Sequence, residues 1–209
     1  MSPLFGAVFL WLLAAILWWS GWREDSTEGF PHWGVGVFLS LWPMAVLINI
    51  PLTSSIAVNG AWIWTTVFVL VLSWRLPPSR RGTSISAGML VGSVYVLLNR
   101  LAFYPSGFSH YFAPWGTAIL LGLISSLLLR NVWEQVLTLS VGLYLSAGIG
   151  MLFQTSLGGV PVLRGAEWVE GWWIALLSAR LWSAAVRTLA NTGRRWAFKM
   201  GEKRGGQRS

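Results

Sequence analysis

The sequence contains no cysteine, which excludes disulfides, iron–sulfur clusters and thiolate zinc sites and leaves the redox compartment open. Charge is also scarce: 11% of residues are charged, where a soluble globular domain carries roughly a quarter. There are two histidines, His32 and His110, and the topology derived below puts them on opposite sides of a membrane. They therefore cannot share a metal or acid–base site, and each reads as an interfacial polar aromatic. No internal repeat is found, so the inverted-repeat pointer to a transporter site is missing. Glu167 and Glu170 stand three apart, as paired carboxylates would, but only Arg164 is near them and a solvated outer loop is the plainer reading. Gly158-Gly159 is a turn signal, since no strand precedes it and no Gly-Lys-Ser/Thr follows. No catalytic residue, metal ligand or cofactor is assigned on these grounds.

What the chain has in abundance is apolar surface. The hydrophobic set makes up 55% of its 209 residues, and there are sixteen Trp. Trp and Tyr collect at the two faces of a bilayer, where an amphipathic ring can sit half wet. A span needs about 20 mostly apolar residues, because about 1.5 Å of rise per residue must cover roughly 30 Å of hydrocarbon. Seven stretches approach that length: 4–22, 33–50, 58–74, 85–103, 115–129, 136–153 and 172–190. The expected fold is therefore an all-α polytopic bundle of about seven spans (residues 1–190) with a basic tail, 191–209. The first stretch has no Lys or Arg ahead of it and reads as a retained span rather than a secretory signal. Pro43 lies inside the second, and an internal proline usually kinks a helix.

Orientation follows from the basic residues, which accumulate on the cytoplasmic side. With the N-terminus outside, the inside segments hold Arg23, Arg75, Arg80, Arg81, Arg130, Arg187, Arg194, Arg195, Lys199, Lys203, Arg204 and Arg208, against Arg100 and Arg164 outside. If the last stretch lay on the surface instead of crossing, the tail would change sides and this asymmetry would collapse. An outside N-terminus and an inside C-terminus are therefore expected. The tail, with Trp196 and Phe198 among its cations, reads as an anchor to anionic lipid rather than as a nucleic-acid surface.

Four polar groups are candidates for an intramembrane site: Arg180, Asn49, Asn99 and Glu134. Arginine near a helix centre costs about 2.5 to 3.5 kcal/mol on insertion scales, so its presence asks for a reason. One reason is snorkelling towards the interface near Arg187, or a structural bond to a neighbouring helix; the other is contact with an anionic lipid or solute. No Asp or Glu lies inside a span, and Asn49 and Asn99 sit near the outer ends of theirs. Glu134 stands four residues after Arg130, and that local pair is expected if the turn is helical. Small residues recur every fourth position at Ser84, Gly88, Gly92 and at Gly142, Ser146, Gly150. Such stripes let helices approach closely, and a glycine-lined pathway is the alternative use.

The segments 127–142, LLLRNVWEQVLTLSVG, and 172–180, WWIALLSAR, together with the overall plan, resemble the YphA-type membrane proteins of Bacillus and relatives. That resemblance implies a bacterial cytoplasmic membrane and no particular activity. The expected role is non-enzymatic: a small membrane component that binds lipid or another membrane protein. A transporter or channel subunit is the alternative, and an intramembrane enzyme comes third because the acid, base or nucleophile cluster it needs is absent from the sequence.

Overall fold

The computed structural model describes residues 3–22, 31–53, 56–102, 115–156 and 165–205. The polar loop 23–28, the aromatic connector 104–114 with His110, Gly158-Gly159 and Arg164 lie outside the described residues. The described chain is all-α apart from one short hairpin. Helix α1 (Pro3–Leu17) runs on into a π-helical turn (Trp18–Trp22), followed by α2 (His32–Leu47). Strands β1 (Asn49–Thr53) and β2 (Ile56–Asn59) form the antiparallel hairpin and lead into α3 (Gly60–Arg75). Then come α4 (Pro78–Ala102), α5 (Trp115–Leu128), α6 (Val132–Ser156) and α7 (Gly165–Gly205).

The element boundaries differ from the apolar runs, each for a local reason. The second run was expected to stay helical to Ile50, but Pro51 disfavours the helical region for the residue before it. The backbone is already extended at Ile48, and Asn49 pairs with Asn59 and Ile50 with Val58. The third helix starts at Gly60 because Asn59 caps it, its Oδ1 accepting from the Ala61 amide at 2.8 Å. Helix α4 opens seven residues before the expected Ile85, on Pro78, whose fixed φ suits a first helical position. Arg80 and Arg81 are thereby helical rather than loop residues. Asn131 caps α6 ahead of the expected Val136, accepting from the Trp133 amide at 2.9 Å. The last helix begins at Gly165 and continues unbroken through the basic segment to Gly205, so no boundary separates span from tail at residue 190.

Among the described residues two helical stretches, Pro78–Asn99 and Val132–Gln154, are long and apolar enough to cross a membrane. Helices α1, α2, α3 and α5 are apolar but have only 14 to 16 residues.

Packing is closest between α4 and α6, where the two small-residue stripes meet only in part. A side chain at Gly92 would come within 2.7 Å of the Gly142 carbonyl, and one at Gly88 within 2.8 Å of the Thr138 carbonyl. At Gly150 the same test meets nothing within 4 Å. Thr138 Oγ1 donates across this interface to the Ser84 carbonyl at 2.9 Å, while the Ser84 and Ser146 hydroxyls bond back into their own helices. Helix α5 lies on α7, where Gly122 faces Ser178 and the Ala175 carbonyl. Helix α1 lies on α7 where Gly6 makes room for the Glu170 side chain.

The described tryptophans range from exposed to fully buried, and the interfacial expectation covers only some of them. Trp19, Trp33 and Trp74 are exposed at helix ends. Trp42, Trp172 and Trp173 are fully buried and, with Phe38 and Phe68, build the centre of the core. The Trp42 and Trp173 rings meet edge to face at 5.4 Å and Phe38 stacks on Phe68 at 4.3 Å, geometries that suit the aromatic quadrupole. Indole N–H groups in this layer tie the helices together: Trp172 donates to Ser140 Oγ at 2.9 Å and Trp11 to the Leu39 carbonyl at 2.9 Å.

Outside this core, large apolar side chains are exposed on every described helix. Phe5, Phe9 and Ile16 of α1, Met44 of α2, Leu70 of α3, Met89 of α4, Leu127 of α5, Leu152 of α6 and Leu181 of α7 are all exposed.

Candidate functional site

Arg180 is 9% exposed. It lines a cavity of about 130 Å³ at the end of the bundle where α2 and α6 begin and α1 finishes. The walls come from Leu17 and Trp18 of the first helical segment, Val35 and Phe38 of α2, Trp133 of α6, and Trp173 of α7. Long side chains on an α-helix lean back towards the N-terminus of their own helix. Trp173 and Leu177, on the turns of α7 before Arg180, line the same cavity. Arg187 is exposed and its Nε donates to the Ser183 carbonyl at 3.3 Å. The two arginines share a helix face, yet one is buried in the bundle and the other lies beyond it.

The turn before α6 is fastened next to this cavity. Gln135, fully buried, donates through Nε2 to the Leu129 carbonyl at 2.7 Å and to Ser183 Oγ at 2.9 Å. This bond sets the register of α7 against α6 one turn beyond Arg180. Its signal was present in the sequence, since Gln135, Thr138, Gly142 and Ser146 recur at three- and four-residue intervals and share a helix face. The polar groups on the cavity wall are all donors. No carboxylate, amide or hydroxyl side chain lines it among the described residues. The Trp173 indole N–H, fully buried, has no acceptor among the described residues.

The other three predicted residues lie elsewhere. Asn49 is exposed on β1, where its Oδ1 accepts from Asn59 Nδ2 at 3.1 Å. The same Nδ2 reaches the Val46 carbonyl at 3.0 Å, so the buried and unforeseen Asn59 organises the hairpin. Glu134 pairs with Arg80 of α4 at 3.6 Å rather than with Arg130, because Arg130 precedes the first turn of α6 and is not four helical residues away. Asn99 is half-buried and lines a cleft of about 260 Å³ at the opposite end of the bundle, with Tyr95, Ser146, Gly150, Gln154 and Glu167. Trp168 lines that cleft and Trp172 lines the cavity around Arg180, so the two hollows approach one aromatic layer from opposite ends. Trp168 also packs on Tyr144 at 4.6 Å, and the Tyr144 hydroxyl lies 2.6 Å from Thr66 Oγ1. A third hollow, between α1, α5 and α7, is walled by Phe9, Trp115, Ile119 and Trp182 and carries no charged group.

Among the described residues no group of three or more His, Cys, Asp or Glu is placed to hold a metal ion. No family model, no curated protein and no solved structure matches this chain.

Proposed function

We propose that the chain is a multi-pass membrane protein of seven spans, N-terminus outside and C-terminus inside, that acts by binding lipid or a membrane partner rather than by catalysis. The observation that carries this reading is the number of large apolar side chains left exposed. Large hydrophobic side chains stand exposed on all seven described helices, whereas soluble proteins rarely expose contiguous apolar patches beyond a few hundred Å². The four short helices are about 21 to 24 Å long at about 1.5 Å per residue, less than the roughly 30 Å of hydrocarbon. A short span is accommodated by local thinning of the bilayer or by oligomerisation. The hairpin meets the rule that non-helical backbone near the membrane must be internally paired. The likeness of 127–142 and 172–180 to YphA-type proteins supports a bacterial cytoplasmic membrane as the setting.

The test is extraction of membranes with alkaline carbonate, followed by fusion of a reporter active only in the cytoplasm after Ser209. The protein is expected to resist extraction and the fusion to be active. Release by carbonate, or a silent fusion in a stably expressed protein, rejects the reading. A second reading, a small transporter or channel subunit, is favoured by one observation: the cleft at Asn99 and the cavity at Arg180 face each other across the Trp168–Trp172 layer. Solute flux through proteoliposomes that stops when this layer is altered would support it over simple binding.

A further inference from the structure

We infer that the projecting end of α7, beyond Ser183, is a docking helix for an acidic amphipathic helix of a cytoplasmic protein. This rests on the membrane reading above and names the kind of partner. Contacts mark the inner edge of the bundle. Gln135, in the first turn of α6, donates to Ser183 Oγ at 2.9 Å, and the neighbouring Glu134 pairs with Arg80 in the first turn of α4. Past this level α7 leaves the bundle. Residues 185–190, which make more than one full turn and so cover every face of the helix, are all exposed. The helix continues unbroken to Gly205, and no proline stands between Gly165 and Gly205 to kink it. At about 1.5 Å per residue it reaches about 33 Å beyond Ser183.

That length separates the outer cations from the bilayer. Along the helix axis Lys199 lies about 24 Å and Lys203 about 30 Å past Ser183, whereas attraction to an anionic surface fades within a Debye length of about 8 Å. The same segment carries an apolar seam. Val186, Leu189, Gly193, Trp196 and Met200 recur at alternating spacings of three and four residues, which places them on one helix face. Val186 and Leu189 are 54% and 72% exposed. An apolar face of this spacing, left uncovered outside the hydrocarbon, suits pairing with another apolar face. Gly193, in the middle of the seam, leaves room for a large side chain from the partner.

Charge selects the partner. Between 184 and 205 the cations Arg187, Arg194, Arg195, Lys199, Lys203 and Arg204 stand against one acid, Glu202. Two copies of this chain in one membrane can pair their helices only in parallel. Lys199 would then flank the seam beside Arg204 of the second copy, and Lys203 would fall in the seam itself, so self-pairing is repulsive. A helix with Asp and Glu beside its own apolar seam meets these cations with opposite charge. A nucleic-acid duplex offers the seam no apolar face.

The test uses the full-length protein in phosphatidylcholine nanodiscs and a fluorescein-labelled peptide of about three heptads, with Leu at the seam positions and Glu at the flanking ones. Saturable binding of one peptide per chain, read by fluorescence anisotropy, is expected. Leu189→Gln should weaken it roughly tenfold or more, the range for failing to bury one leucine, and its exposure keeps the fold out of the result. Lys199→Gln with Arg204→Gln should weaken binding and flatten its salt dependence. Asn191→Gln, on the opposite face, should bind as wild type. No binding, unchanged binding by Leu189→Gln, or equal binding of a peptide with Ser in place of Leu overturns the inference. Equal competition by phosphatidylglycerol vesicles assigns the segment to lipid, and equal competition by a DNA duplex assigns it to nucleic acid; either overturns it. In living cells a photo-reactive side chain placed at Leu189 should form an adduct with an acidic segment of another protein that carries an apolar seam. An adduct with lipid alone, or with a second copy of this chain, also overturns it. Carbonate extraction separates the two levels: a protein that resists extraction yet ignores the peptide refutes only the partner, whereas a released protein refutes the membrane reading.

Discussion

Substituting Gly92 and Gly150 separately by alanine distinguishes two positions that the sequence pattern treats alike. A Cβ at Gly92 would lie 2.7 Å from the Gly142 carbonyl oxygen and 3.0 Å from its Cα. Carbon–oxygen contacts of this kind settle at about 3.3 to 3.6 Å, so α4 and α6 would have to part by roughly 0.6 to 0.9 Å. The obstructing atoms are backbone, which cannot rotate aside as a side chain would. Overpacking of a close interface costs typically about 1 to 3 kcal/mol, offset by up to about 1 kcal/mol from the better helix propensity of alanine. A net loss of about 1 to 2 kcal/mol is expected for Gly92→Ala. For a chain of this size that lowers the midpoint by about 2 to 8 °C, at about 2 to 4 °C per kcal/mol. Gly150→Ala meets nothing within 4 Å and should leave the midpoint unchanged or slightly raised. Thermal unfolding of detergent-purified protein, followed by size-exclusion chromatography after heating, reads both. A Gly92→Ala protein as stable as wild type, or equal losses at both positions, would refute the packing of α4 on α6.

Asn59→Ala removes the cap of α3 and both bonds of its amide, so it should destabilise by about 1 to 2 kcal/mol for the cap alone, in the same assay. Asn49→Ala should cost visibly less, because the side chain is exposed and accepts one bond that Asn59 can replace with water. Glu134→Gln breaks an ion pair whose arginine is 56% exposed, and a change within about 1 kcal/mol is expected. A larger loss would mean that Glu134 holds more than Arg80. Gln135→Leu unties the Leu129 carbonyl and Ser183 from α6 and leaves a buried carbonyl without its donor, at about 1 to 3 kcal/mol. An unchanged midpoint there would show that α7 is registered by its indoles alone.

The seven apolar runs correspond one to one with the seven described helices, since segments that bury or immerse most of their surface betray themselves by composition alone. Their ends were harder to read. Arg80 and Arg81 look like loop residues, yet they occupy the first turns of α4, because a helix can carry charge once it projects beyond the apolar layer. The hairpin at 49–59 was hidden because Ile50 and Val58 look equally at home in a span. Only Pro51 hinted at an extended backbone. Arg180 announced itself by charge, but the walls of its cavity come from α1, α2, α3, α6 and α7, and no local pattern reports which distant residues will meet. The spacing of the glycines was legible, whereas the level at which α4 and α6 touch was not. That level is set by how the helices cross, so Gly88, Gly92 and Gly142 are in contact while Gly150 opens into the cleft.

The crossing of the membrane is the claim on which the proposed topology and setting of this protein depend. With no native cysteine to remove, single substitutions at Ser2, Ser79 and Ser209 can be labelled in intact cells with a membrane-impermeant maleimide. The account predicts that Ser2→Cys is labelled from outside, and that Ser79→Cys and Ser209→Cys react only after the membrane is permeabilised. Labelling of Ser209→Cys in intact cells, or of Ser2→Cys and Ser209→Cys from the same side, would contradict it.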